Sequence, residues 1–128
     1  MKTKYTVALT LLAGVAIGGL AVQALHAQAK PPVYVVAEID VSNLDAYVKE
    51  YAPLAQAAIK AGGGRLLAVG QNVTALEGAA PAKRVAIQQW ASMDQVNAYR
   101  KSAEFMKARE IGNKYAKFRT FAIEGLPQ

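Results

Sequence analysis

The strongest constraint on this chain is the order in which two hydrophobic periods alternate between Val33 and Leu126. Residues 33–41, Val-Tyr-Val-Val-Ala-Glu-Ile-Asp-Val, are β-branched, aromatic and alternating. Val33, Val35, Ala37 and Ile39 make a dry face, and Tyr34, Val36, Glu38 and Asp40 a mixed one, which is a strand pattern. Apolar residues then fall at Leu44, Tyr47, Val48, Tyr51, Ala55, Ala58 and Ile59, spacings of three and four that form one helical stripe. Ser42 followed by Asp45 predicts the cap of that helix. Pro53 predicts a kink or restart near Ala52, because proline lacks the N–H that the ladder needs. Gly62-Gly63-Gly64 ends the helix.

Arg65 to Val69 reads as a second strand, which Gly70-Gln71-Asn72 turns and Val73 to Leu76 continues. A loop from Glu77 to Pro81 leads to a third strand, Arg84 to Trp90. Ser92-Met93-Asp94-Gln95 is a capping box, and Ser102-Ala103-Glu104 recaps a second helical piece with Phe105, Ala108, Ile111, Gly112 and Tyr115 on one stripe. Lys117 to Glu124 is the last strand.

The order is β-α-β-β-α-β, the ferredoxin-like split βαβ arrangement of an α+β sandwich. With 128 residues, the chain has room for one such domain. Two helices cover only one face of a four-stranded sheet. Val36, Ala86 and Phe118 suggest that the other face is not fully polar, which predicts a homodimer that buries it.

Ahead of this domain lies a different composition. Lys2 and Lys4 precede an uncharged, apolar run from Thr6 to Leu25, and Ala27-Gln28-Ala29 supplies small residues for a signal peptidase. That order predicts a secretory signal over residues 1–29, a domain over 30–128, and a periplasmic or secreted product. The rival reading is an uncleaved membrane anchor, since the run reaches about 20 residues and Gly14 and Gly18 form a G-x-x-x-G. Two of the 15 basic residues and none of the 9 acidic ones lie in 1–29. The remainder therefore holds 13 basic residues against 9 acidic ones, a net charge of +4.

The lone histidine, His26, belongs to the signal, and cysteine is absent. Without imidazole or thiol there is no Ser-His-Asp triad, no cysteine nucleophile and no histidine-held haem, and a catalytic zinc loses its usual ligands. No metal or cofactor is expected, and no phosphate-binding glycine loop is present. The basic residues are interspersed with acids, and the basic stretch from Arg100 to Arg119 has helical apolar spacing. Nucleic acid is therefore not an expected partner.

An ordered series of short motifs runs through residues 33–126: Tyr34-Val35-Val36-Ala37-Glu38, Asp45-x-Tyr47-x-x-x-Tyr51, Gly63-Gly64-Arg65-x-Leu67, Leu76-Glu77-Gly78, Arg84-Val85-Ala86-Ile87, Trp90-x-Ser92-Met93, and Ser102-Ala103-Glu104-Phe105 followed by Arg109. The series resembles the domain-of-unknown-function family DUF1330. The resemblance implies a dimeric α+β barrel of ferredoxin-like subunits and implies no activity. The chain departs from the family at two places. Ser102-Ala103-Glu104-Phe105 stands where Ser-Pro-Glu-Tyr is common, and Val69-Gly70-Gln71 where Arg-Gly-Gly is common. The wider superfamily includes antibiotic-biosynthesis monooxygenases, muconolactone isomerases and haem-dependent chlorite dismutases, an analogy of fold alone.

Five residues are candidates for a ligand site: Glu38, Tyr47, Tyr51, Trp90 and Arg109. Tyr47, Tyr51 and Trp90 are expected to wall a pocket between the sheet and the kinked first helix. Glu38 and Arg109 are the charges that periodicity places near it, either as a structural ion pair or as a base and cation for a small aromatic or acidic molecule. Two function classes follow: an exported homodimeric small-molecule binding protein, or a cofactor-free enzyme of monooxygenase or isomerase type. A membrane role is expected only through an uncleaved signal.

Overall fold

The computed structural model describes residues 30–127, and the compact unit is Pro31–Leu126. The expected signal or anchor over 1–29 lies outside the described residues. Strand β1 (Val33–Val41) leads to a helical turn α1 (Leu44–Ala46), a π-helical segment (Tyr47–Tyr51) and helix α2 (Ala52–Ala61). Strands β2 (Arg65–Gly70) and β3 (Arg84–Trp90) follow, then helices α3 (Met93–Lys101) and α4 (Ala103–Gly112), and strand β4 (Ala116–Glu124). The sheet has four strands in the order β2-β3-β1-β4, and every neighbouring pair is antiparallel. That is the ferredoxin-like α+β topology.

β1 is central, and its alternation divides the molecule. Val33, Val35, Ala37 and Ile39 are buried beneath the helices. Tyr34, Val36 and Glu38 face the opposite side. Register carries this parity across the sheet. Ala86 pairs with Ala37 and Phe118 with Ile39, so both lie on the helix side. This corrects their expected place on the open face. That face instead carries Val36 beside Ile87 and Phe121, and Tyr34 beside Ile123. Phe121 and Ile123 are 46% and 61% exposed, so the face is apolar as expected, through Val36 but with Ile87, Phe121 and Ile123 in place of Ala86 and Phe118.

The helix starts differ in part from expectation. Asn43, not Ser42, caps the first turn: its Oδ1 accepts from the Ala46 N–H at 3.2 Å. Ser42 Oγ instead donates to the Tyr115 carbonyl at 2.9 Å, tying the end of β1 to the start of β4. At the second helix Ser92 Oγ accepts from the Gln95 N–H, and Gln95 Oε1 accepts in return from the Ala91 N–H. Ser102 separates α3 from α4, donating to the Tyr99 carbonyl and accepting from the Phe105 N–H.

Pro53 acts through the turn before it. Its ring would meet the carbonyl four residues back, and it has no N–H to donate. The chain absorbs this with one wider turn, in which the Ala52 N–H reaches the Tyr47 carbonyl five residues back. The wider turn shifts the helical phase, so Tyr47 and Tyr51 are buried while Val48 turns outward at 47% exposure. α2 ends in a Schellman motif: Gly64 N–H donates to the Ile59 carbonyl and Gly63 N–H to the Lys60 carbonyl, with Gly63 at φ +89°.

The second strand ends at Gly70, and residues 72–76 have no regular structure, contrary to the expected extension. Gly70 pairs with Val85, and β3 begins one residue earlier at Arg84, so the ladder runs out of partner. The buried residues form two clusters. One gathers Val33, Val35, Ile59, Trp90, Val96 and Tyr99, and the other Ala37, Ile39, Tyr47, Tyr51, Ala86 and Ala108.

Candidate functional site

A cavity of about 60 Å³ lies at the seam between the two clusters, under the π segment. Its apolar walls come from both clusters, including Val35, Ile39, Ile59 and Val96. Its polar lining comes from Tyr47, Tyr51, Gln56, Arg84, Gln88, Tyr99, Arg100, Arg109 and Thr120. None of the lining residues is an acid.

The π segment places two phenols here. Tyr47 and Tyr51 stack at 4.9 Å between ring centres, tilted by 48°, and Tyr51 meets Phe118 at 5.4 Å. Burial raises the pKa of both hydroxyls. For Tyr47 the neighbouring Tyr51 adds to the rise, while Arg84 and Arg109 oppose it. For Tyr51 the opposing groups are Arg109, by charge and hydrogen bond, and Arg100. Tyr99 is pushed up to about 12, chiefly by burial. All three are neutral hydrogen-bond donors near pH 7.

Two half-buried arginines border the same space. Arg109, from α4, lies between two phenyl rings, 3.8 Å from the centre of Phe118 and 4.9 Å from that of Phe105. Arg84, from the first position of β3, sits 5.2 Å from the centre of the Tyr47 ring. Aromatic faces attract both cations and fix their guanidinium planes. No carboxylate pairs with either: the ion pair found among the described residues is Arg119 with Glu38. The Nε atoms of Arg84 and Arg109 and the Thr120 hydroxyl are buried without a hydrogen-bond partner.

Trp90 does not line the cavity. It is 1% exposed and packs 4.5 Å from the Tyr99 ring. It also lies against the glycine turn, where a Cβ on Gly64 would come within 2.5 Å of the indole. Its Nε1–H donates to Gln88 Oε1 at 2.9 Å. Indole nitrogen only donates, so Gln88 must present its oxygen to Trp90, leaving its NH2 as the other end. Trp90 therefore orients Gln88, which lines the cavity.

Glu38 is separated from the cavity by the sheet. Its carboxylate accepts from the Ala82 N–H at 3.2 Å and pairs with Arg119, anchoring the loop after β2 to the open face. The expected partnership of Glu38 with Arg109 is therefore corrected. Even-numbered positions of β1 point away from the helices, and Arg109 reaches the cavity from the helix layer. Of the five candidates, the structure brings Tyr47, Tyr51 and Arg109 together and leaves Glu38 and Trp90 outside. Sequence reasoning missed Arg84, Gln88 and Thr120. The available signal was parity in β3: Arg84, Ala86, Gln88 and Trp90 share a face, so two polar residues alternate with core residues.

On the open face a broader hollow of about 620 Å³ is bounded by Val36, Glu38, Ile87, Phe121 and the loop residues Val73 and Pro81. It is shallow and apolar, in contrast to the basic seam behind the sheet.

A family model described as a domain of unknown function, DUF1330, matches residues 32–126. The chain belongs to the DUF1330 family. No curated protein matches the sequence. Several solved structures share the family's fold. A protein of unknown function from Rhodopseudomonas palustris superposes with a TM-score of 0.57 at 14% identity, over 77% of this chain and 85% of the other. HapK from Hahella chejuensis gives 0.57 at 14% identity, over 75% and 94%. A Caulobacter crescentus protein described provisionally as an antibiotic biosynthesis monooxygenase gives 0.56 at 17% identity, over 77% and 92%. These identities establish a shared fold, the ferredoxin-like α+β arrangement, and nothing about chemistry or assembly. Among the described residues, no cluster of carboxylate, imidazole or thiol groups is suited to hold a metal, and no helix is long and apolar enough to cross a membrane.

Proposed function

We propose that this DUF1330 chain is an exported, homodimeric protein that binds a small aromatic or acidic molecule in the cavity between sheet and helices. The observation that carries the reading is the make-up of the cavity: aromatic and aliphatic walls, a convergent set of hydrogen-bond donors, and no carboxylate. A small-molecule site has this pattern, an apolar lining with a few placed polar groups. A thermal-shift screen of small aromatic acids, phenols and lactones tests it, since a ligand specific to the folded state raises the melting temperature. A screen in which every compound leaves the melting temperature unchanged overturns it.

The fold likeness to the Caulobacter protein raises a second reading, a cofactor-free monooxygenase or isomerase. Such an enzyme needs a proton acceptor within about 3 Å of the reacting atom. Glu38, the candidate base, is on the wrong side of the sheet, and tyrosines with raised pKa are poor bases. Binding is therefore the favoured reading.

The assembly rests on the open face, where Val36, Ile87, Phe121 and Ile123 have no second layer. Light scattering is expected to give twice the monomer mass, and Phe121→Lys to return a monomer. A wild-type monomer at micromolar concentration sinks the dimer. Export rests on residues 1–29, and intact-mass measurement of the periplasmic or secreted fraction is expected to find a chain starting at or near Lys30. The full-length mass confined to membranes would favour the anchor.

A further inference from the structure

We propose that the polar end of the ligand is a carboxylate or an equivalent planar oxyanion, seated at the cavity seam by Arg84 and Arg109 with Gln88 and Thr120. The inference rests on the small-molecule reading above and names the chemistry that this site selects.

The groups facing the seam are unbalanced. Arg84 and Arg109 are always charged at physiological pH, and both are half-buried. A cation withdrawn from water is costly unless an opposite charge or good acceptors meet it. Here Arg84 has the ring and hydroxyl of Tyr47, and Arg109 has the Phe118 ring and the Tyr51 hydroxyl, yet each keeps a buried Nε–H with no acceptor. Thr120 adds a buried hydroxyl without a partner. Its position opposite Ala37 puts it on the helix side of the sheet, like Arg84 opposite Ile39. Gln88 has its oxygen occupied by Trp90, so its free end donates as well.

Every one of these groups can donate, and no acidic side chain on the lining can accept a charge-assisted bond from them. What completes such a set is an acceptor that carries negative charge. Size narrows the choice. The cavity is small, about 60 Å³, which favours a compact anionic group over a bulky one. Guanidinium forks match a planar two-oxygen group. Arg100 and Gln56 on the lining are exposed, so the cavity reaches solvent there and the body of a larger acid can extend outward.

The test uses the full chain and three probes: acetate, benzoate and its neutral isostere benzamide, titrated by calorimetry at constant ionic strength. Benzoate is expected to bind roughly tenfold to a hundredfold more tightly than benzamide, as for hydrogen bonds to a charged group. Acetate is expected to bind and to compete with benzoate. Arg84→Gln and Arg109→Met should each erase the preference for benzoate over benzamide, while Arg84→Lys keeps part of it. Circular dichroism of each variant checks folding. If either fails to fold, the wild-type ratio and the acetate competition still decide the question. Equal binding of benzoate and benzamide overturns the anion site and leaves the small-molecule reading standing. No binding by any of the three overturns the anion site, and the broader screen then judges the cavity by itself.

Discussion

The Arg109 guanidinium lies 3.8 Å from the centre of the Phe118 ring, with Phe105 at 4.9 Å as its second aromatic neighbour. The pair joins α4 to β4 across the helix–sheet interface and aims a fixed charge at Tyr51. Phe118→Leu is therefore expected to lower stability by about 1–2 kcal/mol, through lost packing and lost cation–π attraction. Urea denaturation measures this, and a change below about 0.5 kcal/mol would show that the ring does not hold the arginine.

Glu38 offers the opposite expectation. Its partner Arg119 is 77% exposed, and exposed ion pairs contribute little. Glu38→Gln keeps an oxygen for the Ala82 N–H and should cost less than about 1 kcal/mol. It should leave ligand affinity at the cavity unchanged, because the sheet stands between them. A large loss of affinity in this variant would mean that the two faces communicate.

Gly64 is expected to be intolerant. A Cβ there would meet the Trp90 ring at 2.5 Å, and that ring is 1% exposed and cannot retreat. Gly64→Ala should destabilise by about 1–3 kcal/mol, as overpacking does. Gly70→Ala is the matched control, since a Cβ there meets nothing within 4 Å. Equal midpoints for the two variants in denaturant would contradict this account of the turn.

The tyrosines predict an alkaline limit. Burial pushes Tyr99 from its ordinary value near 10 up to about 12, so between these values the unfolded chain gives up the proton and the folded chain keeps it. The stabilisation is complete below pH 10 and is lost as pH rises through about 12, with a size on the order of 2 kcal/mol. Tyr99→Phe should therefore flatten the fall in stability between pH 10 and 12. Identical slopes for variant and wild type would place the sensitivity elsewhere.

Strand parity was legible where one face is uniformly dry, as in β1. It was not legible in β4, where Phe118 and Phe121 are both apolar yet lie on opposite faces. There only pairing with β1 decides, and pairing is not local information. Pro53 announced an interruption, but its form, one wide turn that rotates Val48 outward, depends on how the tyrosines pack. Ser42 and Asn43 can both cap a helix, and the choice fell to Asn43 because Ser42 is engaged with Tyr115. Tyr47, Tyr51 and Arg109 could be placed from periodicity. Arg84 and Gln88 were overlooked because a polar residue on a strand is usually read as solvent-facing, and here the buried face holds them.

β1 works as a partition between two rooms with different tenants. Its odd-numbered side chains answer to the basic seam, and its even-numbered ones answer to the apolar exterior. Inheritance can edit one set without disturbing the other. Relatives can therefore keep the same inner chamber while their outer walls drift, or exchange its occupant while the wall stays as it was. A single inserted residue in β1 is the change that neither room survives, because it sends every side chain beyond it through the wall.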